Sequence, residues 1–124
     1  MAKVLVVDDS SLARRSTRKI LEDAGHQAVE AQDGLTALER YFTDKPDVVL
    51  LDVTMKDMDG IEVLRRLREL DPSVRVIFVT ADVQNSTREM AEAGGARGFV
   101  IKPVAARPLL DCIHTVVELH STCN

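Results

Sequence analysis

The sequence predicts an α/β fold: a doubly wound, five-stranded parallel sheet built from five strand–helix units, (βα)5. Three observations predict it. Short apolar runs rich in Val and Ile recur along the chain, as Val4-Leu5-Val6-Val7, Val48-Val49-Leu50-Leu51, Val76-Ile77-Phe78-Val79 and Gly98-Phe99-Val100-Ile101. Stretches with helical spacing alternate with them, the pattern of buried parallel strands joined by crossover helices. Each run also ends on residues that carry chemistry: Asp8-Asp9, Asp52, Thr80 and Lys102-Pro103.

Each element has its own signal. The first strand is placed at 3–7 and the first helix at 11–24, with Ser10 or Ser11 as N-cap, Ala13, Thr17, Ile20, Leu21 and Ala24 on one face, and Gly25 as the stop. The second strand, 27–31, leads through an Asp33-Gly34 turn into a helix at 34–42, and Pro46 ends the connection after it. The third strand, 47–51, is the most apolar and is therefore central. Asp59 can cap a helix at 60–70 whose core face is Ile61, Val63, Leu64, Leu67 and Leu70, and Asp71-Pro72 ends it. The fourth strand, 74–79, precedes a helix at 84–93 stopped by Gly94-Gly95. The fifth strand, 97–101, is followed by a helix at 106–118; Ala105 is no cap, and Pro108 suits the first helical turn.

The 124 residues read as one domain, 1–124, long enough to bury about two-thirds of the unfolded surface. Connections are short, and no linker, repeat or low-complexity tract interrupts them, so no output domain is expected. A net charge of −4 argues against nonspecific nucleic-acid binding, which uses a basic patch. No apolar stretch reaches the ~18 residues of a membrane span. Met1-Ala2-Lys3 runs straight into a strand, leaving no room for a signal peptide. Cys112 and Cys123 are too few and too irregularly placed for a disulfide framework or a zinc site. Free thiols in a reducing, cytoplasmic compartment are the simplest reading, with Cys123 in the tail open to adventitious cross-linking in vitro.

In an open parallel sheet, ligands bind beyond the carboxyl ends of the strands. Three carboxylates, a hydroxyl and an ammonium therefore converge on one edge. Asp8, Asp9 and Asp52 crowd like charges, which raises one carboxyl's pKa unless a counter-charge is present. A hard divalent cation such as Mg²⁺ resolves the conflict, with carboxylates on one side and phosphate oxygens and water on the other. Helix capping would need one acid, not two, and does not explain Asp52. Asp52, at the end of the central strand, is the candidate nucleophile, since a carboxylate can attack phosphorus to form an acyl phosphate; Asp57 and Asp59 belong to the following loop and helix start. Lys102 can pair with a phosphate oxygen as a point charge, and Thr80 offers a hydroxyl to the same group.

Together these residues resemble the receiver domain of two-component response regulators, and in particular its single-domain, chemotaxis-type (CheY-like) members. The resemblance covers nearly the whole chain and is carried by Val4 to Asp9 (VLVVDD), Pro46 to Gly60 (PDVVLLDVTMKDMDG), Thr80-Ala81 and Ala91 to Pro103 (AEAGGARGFVIKP). It implies the flavodoxin-like strand order 2-1-3-4-5, which is known for that regulator and is not read from spacing. It implies that Asp52 is the phosphorylated aspartate, and that Asp9, Asp52 and the Thr54 backbone carbonyl bind Mg²⁺ directly, with Asp8 acting through a metal-bound water. Lys102, Thr80 and the Ala81 backbone N–H would hold the phosphoryl group. Thr80 and Phe99 would form the switch pair, Thr54 and Asp82 would tune dephosphorylation, and the Lys102–Pro103 bond would be cis.

The chain departs from that pattern at two places. Phe99 stands where chemotaxis members usually have Tyr, so it can fill the same space but has no hydroxyl for a partner. Lys56 stands where the family commonly has Pro. The resemblance also implies partners: a histidine kinase or phosphotransfer protein near the first helix, which carries Arg14, Arg15, Arg18 and Lys19, and a downstream protein on the face of the fourth helix, fifth strand and fifth helix, with Arg88, Glu92, Arg97 and Phe99 as candidates. The expected function is a phosphorylation-activated switch that catalyses only its own modification. A phosphorelay shuttle and a docking module without phosphorylation are the alternatives. A flavodoxin would need a hydroxyl- and glycine-rich phosphate loop after the first strand, where Asp8-Asp9 would repel an anion. An aspartyl phosphatase would carry a second acid two residues after the nucleophile, where Thr54 stands.

Overall fold

The computed structural model describes residues 1–53, 55, 59–81 and 85–123, with residues 85–88 described by their backbone. The elements are β1 (Lys3–Val7), α1 (Ser11–Asp23), β2 (Gln27–Ala31), α2 (Gly34–Asp44), β3 (Val48–Asp52), α3 (Gly60–Leu70), β4 (Val76–Thr80), α4 (Asn85–Ala93), β5 (Gly98–Ile101) and α5 (Ala106–Ile113), the last running on into a π-helical turn, His114–Glu118. The five strands form one parallel sheet in the order β2-β1-β3-β4-β5.

Alternation along each strand builds two cores. Leu5, Val7, Val49, Leu51, Val76 and Phe78 face one side and pack with Ala37 of α2, Val63, Leu64 and Leu67 of α3 and Ala91 of α4. Val4, Val6, Val48, Leu50, Ile77 and Val79 face the other and pack with Leu21 of α1 and with Leu109, Cys112 and Ile113 of α5. Every residue of β3 and β4 is buried, which is why these runs are apolar throughout rather than alternating. Full burial of each apolar side chain in these strands contributes about 1.5–3 kcal/mol.

The helix ends follow local chemistry. Ser10 Oγ accepts from the Ala13 N–H at 3.2 Å, Asp33 Oδ1 from Thr36 at 2.7 Å and Asp59 Oδ1 from Ile61 at 2.6 Å, each satisfying a donor that the first helical turn leaves unpaired. Gly25, at φ +87°, stops α1. Ala105 makes no side-chain cap, so α5 starts without one.

Several boundaries differ from expectation. β4 starts at Val76 rather than 74 because Asp71 holds the chain in a turn: its Oδ1 accepts from the Ser73 N–H and hydroxyl, and its carbonyl accepts from Val74. β3 and β4 each reach one residue further, to Asp52 and Thr80, because Asp52 pairs with Val79 and Thr80 with Ile101. α2 extends to Asp44 and ends at Lys45, which adopts φ +48°. The single helix expected over 106–118 widens into a π-turn after Ile113, where the Thr115 hydroxyl occupies the Asp111 carbonyl at 3.0 Å. Leu70, assigned to the core, is 59% exposed; it is the last residue of α3, where the chain turns into the extended Asp71.

Tyr41 of α2 donates to Asp71 Oδ2 at 2.7 Å, tying α2 to the end of α3. The Ser73 hydroxyl and Tyr41 hold the Asp71 carboxyl below the ordinary carboxylate range, and the Thr36 backbone and hydroxyl do the same for Asp33. Both carboxyls bind their protons less tightly folded than unfolded, so their contribution to stability is complete above the unfolded value of 3.8 and is lost as pH falls through the lower folded value. Tyr41→Phe should therefore cost about 1 kcal/mol in urea unfolding at neutral pH, and the gap from wild type should close as the solution is acidified below the unfolded value.

Candidate functional site

Parallel register builds the site. Val7 pairs with Leu51, and the next residue along each strand is Asp8 or Asp52. The two carboxylates therefore leave neighbouring strands side by side at the carboxyl edge. Thr80 closes β4 beside Ile101, and Lys102 follows immediately; its N–H donates to the Thr80 carbonyl at 2.7 Å. The Lys102–Pro103 peptide bond is cis.

The Lys102 ammonium reaches Asp8 Oδ2 at 3.0 Å and Asp52 Oδ2 at 3.2 Å. Both carboxylates are buried, at 6% exposure each, and Thr80 at 2%. Burial pushes the Lys102 ammonium down, but the hydrogen bond to Asp8 and the charges of Asp52 and Asp8 outweigh it, and the net displacement is upward. Lys102 thus stays charged between two carboxylates. Asp9 is exposed at the rim. Each of Asp8, Asp9 and Asp52 offers an oxygen, and these atoms lie within 4.8 Å of one another.

That donor set suits a hard divalent ion. It is all oxygen, it gathers three carboxylates around the Lys102 ammonium among the described residues, and its spread lets a small ion reach the acids directly or through a bound water. Mg²⁺ keeps several waters and takes one or two carboxylates directly, so two of these three acids could bind it directly and the third through a water.

Surrounding residues fix the acids in place. The Ser10 N–H donates to Asp8 Oδ1 at 2.9 Å. Arg14 donates to the Asp8 carbonyl and, at 3.0 Å, to Glu30 on β2, which also accepts from Arg18 at 2.8 Å. The Arg18 hydrogen bond holds the Glu30 carboxyl below its ordinary range. Arg14, with 13% of its side chain exposed, is thus a strut behind Asp8 rather than part of an open basic surface; Arg15 and Lys19 are exposed on α1. Sequence reasoning listed Arg14 only among surface charges, and Glu30 had no visible signal because its partners lie on another element.

Gly60 is the other residue whose role emerges from geometry. At the start of α3 its N–H donates to the Val53 carbonyl at 2.9 Å. A Cβ there would lie 2.7 Å from the Asp52 carbonyl and 2.8 Å from Val53 Cα, so only glycine lets α3 approach the exit of β3 this closely. Ala81 is exposed. Phe99 is 7% exposed and belongs to the core, so as a partner-contact candidate it is turned inward; Glu92 is exposed and Arg97 half-buried. Thr54, Lys56, Asp57 and Asp82 lie outside the described residues, as does the side chain of Arg88.

Comparison with known proteins finds relatives over nearly the whole chain. The family model for the response regulator receiver domain matches residues 4–114. A chemotaxis protein CheY from Listeria monocytogenes is 39% identical over 119 residues, covering 95% of this chain and all of that protein. The Vibrio cholerae chemotaxis protein CheY4 superposes with a TM-score of 0.89 at 32% identity, covering 94% of this chain and 98% of that one. A LuxR-family two-component response regulator from Aurantimonas superposes at 0.94 with 28% identity, covering this whole chain and 89% of that one.

Two substitutions test the geometry. Gly60→Ala should destabilise the fold by about 1–3 kcal/mol, since the new methyl meets backbone and cannot rotate away; chemical denaturation reads this directly. Lys102→Met should cost about 2–3 kcal/mol in metal-free buffer, somewhat below a fully buried pair because Lys102 is partly exposed. Added Mg²⁺ should raise the melting temperature of that variant more than that of wild type.

Proposed function

This chain belongs to the response regulator receiver family, a CheY-like module of two-component signalling, and from that premise we propose that Asp52 is its phosphoacceptor and that Asp8, Asp9 and Lys102 complete the site. The observation that carries this reading is the single ammonium of Lys102 bridging Asp8 and Asp52 at 3.0 and 3.2 Å on the carboxyl edge of the sheet.

In this reading an Asp52 oxygen attacks the phosphorus of a phosphohistidine on a histidine kinase or phosphotransfer protein. The new P–O bond forms as the P–N bond breaks, and the imidazole leaves with the electron pair and takes up a proton. Asp9 and Asp52, with the Thr54 carbonyl, would hold Mg²⁺, and Asp8 would reach it through water. Bound there, the ion would neutralise charge on the transferring phosphoryl oxygens. Lys102 leaves its carboxylate partners to pair with a phosphoryl oxygen, and the Thr80 hydroxyl and Ala81 N–H close on the others. Thr54 and Asp82 would tune dephosphorylation by influencing how water reaches the acyl phosphate. The domain acts on its own side chain alone, so it is a phosphoacceptor rather than an enzyme with a separate substrate.

The new group adds roughly 1.5–2 negative charges and three acceptor oxygens. Thr80 is drawn toward it, and the space it vacates favours the inward position of Phe99. Phosphorylation therefore fixes a position that Phe99 already occupies here, and the α4–β5–α5 face presents the result to a protein partner, with Glu92 and Arg97 at its rim. A phosphohistidine donor and thiol-state cysteines suit a cytoplasmic setting. Among the described residues no helix is long and apolar enough to cross a membrane.

Intact mass measured after incubation with a small phosphodonor and Mg²⁺ tests the proposal. Wild type should gain one labile phosphoryl group, and Asp52→Asn or metal-free wild type should gain none. Equal labelling of Asp52→Asn would remove Asp52 from the role.

A further inference from the structure

The segment beyond the π-turn folds back along the sheet. His120 adopts φ +51°, and the Ser121 N–H donates to the Thr115 carbonyl at 3.1 Å. The Cys123 N–H then donates to the Arg97 carbonyl at 2.7 Å, and Cys123 forms a parallel bridge with Gly98. β5 is an edge strand, so this bridge covers the beginning of its open edge.

Gly98 is where the two cysteines of the chain meet. A Cβ at Gly98 would lie 2.7 Å from Cys112 Sγ, so that sulfur rests against the backbone of the residue with which Cys123 pairs. Cys112 and Cys123 line one groove together with Phe99, and Cys123 packs against the core cluster that holds Cys112. Cys112 is buried in α5 and Cys123 is half-buried. Absence of a side chain at Gly98 thus supplies the space in which the Cys112 sulfur fits, beside the backbone that Cys123 bridges.

From this juxtaposition we infer that Cys112 and Cys123 form a reversible intramolecular disulfide that fastens the C-terminal segment along β5. Hydrogen peroxide is the oxidant it would answer to. The Cys123 sulfur, the more accessible, attacks one peroxide oxygen; the O–O bond breaks, and Cys123 becomes a sulfenic acid as water leaves. The Cys112 sulfur then attacks the sulfenic sulfur, the S–S bond forms, and a second water departs with the Cys112 proton. Two thiols are oxidised and one peroxide is reduced to two waters. Burial pushes the Cys112 thiol up, which makes it the second to react. A dithiol reverses the bridge by exchange.

The bridge has a consequence for signalling. Thr122 and Cys123 line a groove with Glu92, Arg97 and Phe99, on the face proposed above for the downstream partner. Closing the bridge fixes the tail there. This consequence rests on the phosphoacceptor reading, whereas the bridge itself does not and is measured on unphosphorylated protein.

The test is treatment of the folded chain with hydrogen peroxide under non-reducing conditions, followed by intact mass and by digestion after Glu118, which separates Cys112 from Cys123. The expected result is a monomer lighter by two hydrogens, in which the two cysteine fragments remain linked until a dithiol is added. Cys123→Ser should show no such loss, and amides of β5 and residues 119–123 should exchange more slowly in oxidised wild type than in reduced. A dimer linked through Cys123, or Cys123 oxidised to sulfinic acid with Cys112 still a thiol, would overturn the inference. Cys123→Ser alters only a half-buried side chain, so its mass readout does not depend on tolerance of a change at buried Cys112.

Discussion

Two buried carboxylates share one ammonium at the edge of this sheet, and the rest of the molecule is arranged to keep them there. Asp8 and Asp52 leave adjacent parallel strands in register, so the hydrogen-bond ladder that builds the core also forces like charges together. Among the described residues, Lys102 bridges the two buried acids, and Asp9 stands beside them at the rim. In the proposed function this acidic group would draw a divalent cation and, with it, a phosphoryl donor. Stability and function meet here, since one ladder both builds the core and places the acids.

Rigidity has identifiable sources. The walls of the site are the ends of β3 and β4, strands buried along their whole length. Arg14 braces the Asp8 backbone from α1 and is itself fixed by Glu30. Gly60 lets α3 dock against the exit of Asp52. The residues that the proposed function sets in motion lie on the other side: the Thr80 side chain at the end of β4, Phe99 in β5 and, for the proposed disulfide, the tail that bridges to Gly98. The acids are thus anchored on one half of the sheet, and the elements that could report a charge change lie on the other.

Much of this was legible in the residues. Apolar runs ending in acids, a hydroxyl and a lysine placed the strands and the functional edge, because strand ends in a parallel sheet share one side. The caps Ser10, Asp33 and Asp59 were readable because capping chemistry is local. The strand order came from family resemblance. Features that depend on distant partners were not legible: Arg14 with Glu30 couples α1 to β2, and the demand for glycine at 60 comes from the backbone of another element. The meeting of Cys112 and Cys123 was hidden for the same reason, as spacing alone gave two unrelated thiols. Leu70 was misplaced because helical periodicity continues past the point where the sheet stops covering it.

Chemical trapping of the acyl phosphate addresses the role of Asp52 most directly. Borohydride reduces an aspartyl phosphate to homoserine, which fragmentation of the peptide spanning β3 and the start of α3 can place. Homoserine at position 52 alone, after reaction with phosphodonor and Mg²⁺, is the expected result. Homoserine at position 57 or 59 instead would contradict it and would leave the buried pair with Lys102 a structural feature of the fold.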